Sequence, residues 1–138
     1  MQGTIKLIIF APSKGLQASI LQTVKKINDM NTANAKSQMR KGMLEYCVLL
    51  LLRRGACYAN DIIKQLKDAD LIVVEGTLYP LLTRLKKDSL LSYEWRESMQ
   101  GPPRKYYSLT AEGHAALSEM DSTWQALSRT VEVLKGYM

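Results

Sequence analysis

Between Glu75 and Leu85 the chain reads E-G-T-L-Y-P-L-L-T-R-L, and Pro80 within it constrains the backbone more than any other residue. Proline has no N–H to donate and crowds the preceding turn, so a helix tolerates it only near its start. Leu78, Leu81, Leu82 and Leu85 nevertheless follow the i, i+3, i+4, i+7 rule and form one apolar stripe. Together these facts predict a helix that begins within the few residues before Pro80 and has Gly76, Thr77 and Tyr79 in its first turn. The side away from the stripe carries Gly76, Pro80, Thr83 and Lys87, flanked by Tyr79 and Arg84. It is a small, polar and cationic face at the end of a helix whose free N–H groups and dipole attract anions. Taken alone, the same pattern also fits a helix whose outer face is merely solvated.

The residues that follow favour a partner for that face. Ser92–Glu97 alternates Tyr93 and Trp95 with polar neighbours, Met99–Pro103 is turn material, and Arg104–Leu109 alternates again through Lys105, Tyr107 and Leu109. A two-stranded ribbon is marginal by itself and needs packing against helices or a ligand. A half-apolar helix followed directly by a ribbon with Arg104 and Lys105 beside its turn is the arrangement of a winged helix-turn-helix. The expected fold is therefore mainly α with a small β-hairpin.

Upstream, Ser37 is placed to cap a helix reaching about Arg54, with Met43, Cys47, Leu50 and Leu51 inward and Gly55 as its stop. Arg53 and Arg54 suit the negative end of that helix dipole. A second helix is expected over Ala59–Lys67, with Ile62, Ile63 and Leu66 inward and Asn60 and Asp61 near its start. Its outward Lys64 is either a solvated charge or a phosphate contact. Leu71–Val74 favours β structure and is expected to pair with the wing as a short third strand. Before all of this, Leu16, Ile20, Val24 and Ile27 recur at helical intervals after a Pro12–Gly15 break, predicting a short amphipathic helix. Met30 is expected to be the natural start, with residues 1–29 an upstream extension; the alternative is an added arm that packs on the dimer or on DNA.

After Thr110, a capping residue, Leu117, Met120, Trp124, Leu127, Val131, Leu134 and Met138 fall three and four apart. Such a seam extends past a small domain and calls for a second subunit as its cover, the alternative being a helix folded back on its own domain. A twofold dimer would hold two reading helices roughly 34 Å apart and match an inverted-repeat operator.

Composition agrees. The net charge is +6, and the basic excess lies in residues 36–108, with 13 basic and 8 acidic side chains, rather than in 109–138, with 2 and 4. A single histidine, His114, and two cysteines, Cys47 and Cys57, assemble no zinc framework, and no cofactor is expected. No nucleophile–base pair, G-x-S-x-G or phosphate-cradling loop appears, so catalysis is not expected. The longest apolar runs, Ile5–Ala11 and Cys47–Leu52, are far shorter than the roughly 20 residues a membrane span needs. Lys6 and the Pro12–Gly15 segment do not form a secretory signal, and a reducing cytoplasm is the expected compartment.

The string G-T-L-Y-P-L-L-T-R-L at Gly76–Leu85, followed by R-K-Y-Y-S-L-T at Arg104–Thr110 and by Gly113, resembles the PadR family of bacterial transcriptional regulators. The likeness extends upstream through M-R-K-G-M-L-E-Y-C-V-L-L-L-L at Met39–Leu52 and covers about Met30 to the end. Gly101-Pro102-Pro103 at the wing tip departs from the basic or glycine residue many relatives carry there. The resemblance implies a dimeric repressor. Its parts would be an N-terminal extension over 1–35, a winged helix-turn-helix DNA-binding domain over 36–110, and a dimerisation helix over 111–138.

In that arrangement Thr77 and Tyr79 approach base edges or adjacent phosphates, with Thr83 on the same reading helix; Arg84, Lys87, Arg104 and Lys105 neutralise phosphate, and Lys64 is the candidate backbone contact of the preceding helix. Leu117, Met120, Trp124, Leu127, Val131 and Leu134 form the dimer interface. Trp124 has two roles open to it: filling that interface, or stacking with its symmetry mate around a small aromatic or hydrophobic effector, as in a multidrug-sensing branch of the family. The rival from another class is a winged-helix module that binds a protein and no specific DNA.

Overall fold

The computed structural model describes residues 13–136. It contains α1 (Lys14–Arg53), α2 (Ala59–Asp68), α3 (Glu75–Lys87), β1 (Leu91–Ser98), β2 (Gly101–Leu109) and α4 (Ala111–Lys135). The chain divides into two units, Met1–Met39 and Arg40–Met138. In the first, α1 starts after Ser13, whose Oγ accepts the Leu16 N–H at 3.3 Å, and Leu16, Ile20, Val24 and Ile27 are all exposed. The apolar run Ile5–Ala11, Pro12 and the seam residue Met138 lie outside the described residues.

The expected cap at Ser37 is not a helix start, because α1 continues through it. No proline stands between Gly15 and Arg53, and the Ala, Lys, Gln, Met and Arg residues around Ser37 all favour propagation over a break. The inward face of the second half of α1 is also rotated from the expected one. Leu44, Val48, Leu49, Leu51 and Leu52 are buried, whereas Cys47 and Leu50 only border the core. Gly55, at φ +147°, ends the turn after α1 as expected.

Both middle helices finish in the same way. Asp70 after α2 and Ser89 after α3 take left-handed backbone, at φ 65° and 64°. The next residue returns its N–H into the helix: Leu71 to the Leu66 carbonyl at 2.8 Å, and Leu90 to the Leu85 carbonyl at 3.0 Å. These closures turn Leu71 and Leu90 back against the core formed by Ile62, Leu66, Leu78, Leu82 and Leu85.

α3 begins at Glu75, within the few residues before Pro80 as expected, with Gly76 and Thr77 in its first turn and Pro80 at its sixth residue. Proline offers no N–H to the Gly76 carbonyl, and Gly76 is exposed, so water can take that acceptor.

β1 and β2 pair antiparallel, with Tyr93 opposite Tyr107, Trp95 opposite Lys105 and Arg96 opposite Arg104. The turn is Met99-Gln100, and Gly101-Pro102-Pro103, expected as turn, opens β2 instead. The register shifts between Arg96 and Ser98. Pro102 and Pro103 lie in that bulge, where missing donors cost the ladder nothing. The expected third strand at Leu71–Val74 does not form: Val73 turns into the core while Ile72 and Val74 stay exposed. Cys57 pairs with the ribbon in its place, through Cys57 N–H to the Tyr107 carbonyl at 3.1 Å and the reciprocal bond at 2.8 Å.

α4 begins as expected at Thr110, whose Oγ1 accepts the Gly113 N–H at 2.9 Å and donates to the Ser89 carbonyl at 2.6 Å. Leu117, expected on the dimer interface, is 2% exposed within the chain's own core, and Met120 packs against that core. The first two turns of α4 face inward because Gly113 rides directly over the Leu90 backbone. The apolar seam is released only beyond Met120, where Trp124, Leu127, Val131 and Leu134 are exposed.

Candidate nucleic-acid interface

The buried Leu78, Leu82 and Leu85 leave Gly76, Thr77, Tyr79, Pro80, Thr83 and Lys87 on the exposed side of α3. Thr83 Oγ1 donates to the Tyr79 carbonyl at 3.0 Å, so its methyl and lone pairs face outward. Beside this face the start of α2 and the ribbon enclose a cleft of about 360 Å³. Tyr79 and Thr83 form one wall, Tyr58 and Asn60 the second, and Trp95, Pro103, Arg104 and Lys105 the third. Tyr107 anchors the ribbon to the core, and burial raises its phenol above the usual value of 10.0.

The cations of the wing stand on aromatic rings. Arg104 lies 4.5 Å from the centre of Tyr58, and Lys105 Nζ lies 4.5 Å from Tyr93 and 5.3 Å from Trp95. Lys86 Nζ approaches the same Tyr93 at 5.0 Å. A ring face holds a cation by its quadrupole, worth about 0.5–1 kcal/mol at exposed sites, without cancelling its charge. Arg104 and Lys105 thus remain attractive to phosphate while being held in place. Tyr58, Trp95 and Lys86 are not among the contact residues expected from the sequence. The alternation of Tyr93 and Trp95 with Lys105 across the ribbon is the signal that could have found Trp95, whereas Tyr58 arrives only through the Cys57–Tyr107 pairing.

Arg84 departs from its expected role as a free phosphate contact. Its guanidinium donates to Glu45 Oε2 at 2.8 Å and lies 3.6 Å from Asp88, so two carboxylates already offset its charge. The hydrogen bond to Glu45 also raises the guanidinium pKa. Its work is to tie α3 to α1. Arg96, likewise, pairs with Glu94 at 2.6 Å. Lys64 and Lys87 are exposed. Neither thiol is activated: burial raises both Cys47 and Cys57 above the usual 9.0, with Asp61 adding to the shift at Cys57. Among the described residues no cluster of His, Cys, Asp and Glu could hold a metal, and no helix is long and apolar enough to cross a membrane.

Three helices, a two-stranded wing packed on the third, and cationic side chains beside that helix define a winged helix-turn-helix regulator of transcription. Residues 48–119 match the Transcriptional regulator PadR-like family, and the chain belongs to it. A PadR-like transcription factor from Bacteroides fragilis is 65% identical, with a TM-score of 0.63, over 73% of this chain and 98% of that one. A PadR family regulator from Eggerthella lenta is 34% identical over 79% of this chain and 96% of that one, with a TM-score of 0.73. Transcriptional regulator Rv3488 of Mycobacterium tuberculosis is 45% identical over 64 residues, 46% of this chain and 57% of that protein. The family's members are transcriptional regulators and not enzymes.

Proposed function

We propose that this chain is a cytoplasmic repressor that binds an inverted-repeat operator as a homodimer and is released by a small aromatic or hydrophobic ligand. The observation that carries the DNA-binding part is the cleft wall itself: Arg104 and Lys105 stand on Tyr58, Tyr93 and Trp95 next to the small, polar face of α3. Thr77, Tyr79 and Thr83 approach base edges in the major groove, while Lys87, Arg104, Lys105 and Lys64 neutralise phosphate. Asn60 at the start of α2 adds a neutral donor near the backbone. The domain division into 1–35, 36–110 and 111–138 is kept for function, with the first segment an N-terminal extension and the last the dimerisation helix.

The exposed apolar side chains of the α4 seam, Trp124, Leu127, Val131 and Leu134, support the dimer. Left in water they would waste their burial, about 1.5–3 kcal/mol for each aliphatic side chain fully covered. Trp124, 46% exposed, is available to its symmetry mate and to a flat guest between them. A guest releases DNA only if it binds more tightly to the dimer geometry that misplaces the two copies of α3.

Selection of bound sites from random duplex DNA, repeated at two salt concentrations, tests the proposal. The expected result is an inverted repeat with half-sites about one helical turn apart and affinity falling steeply with salt. Absence of any sequence preference would make the protein a winged-helix interaction module instead. Competition with planar aromatic compounds, followed by Trp124 fluorescence, tests the effector.

A further inference from the structure

Two neighbouring residues of α1 hold the two helices on which operator binding depends. Glu45 accepts from Arg84 of α3 at 2.8 Å. Tyr46 Oη, one residue on, donates to Asp121 Oδ1 of α4 at 2.5 Å. The other oxygen of Asp121 accepts from Arg53 Nη1 at 3.2 Å. The Asp121 carboxylate also holds the Tyr46 phenol in its protonated form, raising its pKa above the usual 10.0.

Tyr46 and Arg53 are two turns apart on α1, about 10 Å along its axis. Donors two turns apart on α1 converge on that one carboxylate and fix where it sits, and with the earlier anchors of α4 this one point sets the angle of the helix. Before Asp121, α4 is held by its Thr110 cap and by Leu117 in the core. After it come the exposed Trp124, Leu127, Val131 and Leu134. The carboxylate therefore stands where the helix leaves its own domain, and the remaining rod to Lys135 is about 20 Å long. A tilt of about 10° there moves its far end by about 3.5 Å, close to the rise of one base pair.

We propose that Asp121 is a positioning residue for operator recognition: through Tyr46 and Arg53 it sets the angle between the dimerisation rod and the DNA-reading head, and hence the half-site spacing the dimer accepts. This rests on the dimeric DNA-binding function proposed above. Arg53 and Asp121 are both partly exposed, at 53% and 33%, so the bonds contribute direction more than stability.

The test uses full-length Asp121→Asn and Tyr46→Phe. The probe is the half-site selected from random duplex DNA, built into inverted repeats whose spacer is stepped one base pair at a time. The parent should show a sharp optimum. Both variants should remain dimers and keep the parent's affinity for a single half-site, while their preference for the optimal spacer over its neighbours narrows by about fivefold or more. Tyr46→Phe, which removes one hydroxyl, serves if Asp121→Asn loses its fold. Variants that reproduce the parent's spacing profile, or lose half-site affinity in the same proportion on every spacer, overturn the proposal alone. A parent without a spacing optimum overturns the dimeric function and this proposal with it.

Discussion

Replacing Gly113 with alanine should destabilise the protein although it places a better helix former in a helix. A β-carbon on Gly113 would be driven into the Leu90 carbonyl oxygen, and would lie 3.1 Å from the Leu90 carbonyl carbon and 3.3 Å from Leu109 Cδ2. That oxygen cannot yield freely, because it accepts the Thr110 N–H at 3.1 Å while the Leu90 N–H is committed to Leu85. Either α4 lifts away from the β-ribbon or the turn after α3 opens, and both strain the Thr110 cap bonded to the Gly113 N–H. Overpacking costs about 1–3 kcal/mol, and a weakened cap adds about 1. The helix-propensity gain of alanine returns about 1 kcal/mol, leaving a net loss of about 1–3 kcal/mol. For a domain of this size that lowers the melting temperature by about 5–15 °C. Urea and thermal unfolding followed by circular dichroism measure it. Gly76→Ala is the control: it has open space around it and should be neutral or stabilising by up to about 1 kcal/mol. A Gly113→Ala protein as stable as the parent would refute the close approach of α4 to Leu90.

Further outcomes can be read on the same protein. Lys105→Ala should weaken DNA binding on all sequences and reduce the slope of log affinity against log salt by about 1 per site, measured by fluorescence anisotropy; an unchanged slope removes the wing from the interface. Arg84→Ala should change that slope much less, because Glu45 and Asp88 already offset its charge. Leu127→Glu, at an exposed seam position, should convert dimers to monomers by light scattering while leaving the circular dichroism spectrum intact. Burial and Asp61 raise the Cys57 pKa, so at any pH below it the thiolate fraction is smaller than for a free cysteine. Alkylation of the folded protein at pH 8 should therefore be slow, rise only at pH values above the usual 9.0, and become fast at pH 8 on unfolding in urea. Fast modification of folded protein at pH 8 would contradict the burial of that thiol.

Local chemistry was sufficient wherever the deciding residues are neighbours in the chain. The spacing of Leu78, Leu82 and Leu85 defined the inward face of α3, the hydroxyl of Thr110 defined the start of α4, and Gly55 defined the end of α1. The alternation around Tyr93, Trp95, Lys105 and Tyr107 defined the ribbon, because a period of two admits one pleated surface. Tertiary packing decided what depends on groups remote in sequence. Arg84 has the composition of a phosphate contact, yet Glu45, 39 residues earlier, neutralises it. Leu117 fits the seam's period, but the approach of Gly113 to Leu90 turns it into the chain's own core. Tyr58 joined the cleft through the pairing of Cys57 with Tyr107, and Ser37 lost its cap because the helix around it found nothing to stop it. Periodicity sets which face of an element is apolar; only the folded chain sets which partner, protein or solvent, each side chain on that face meets.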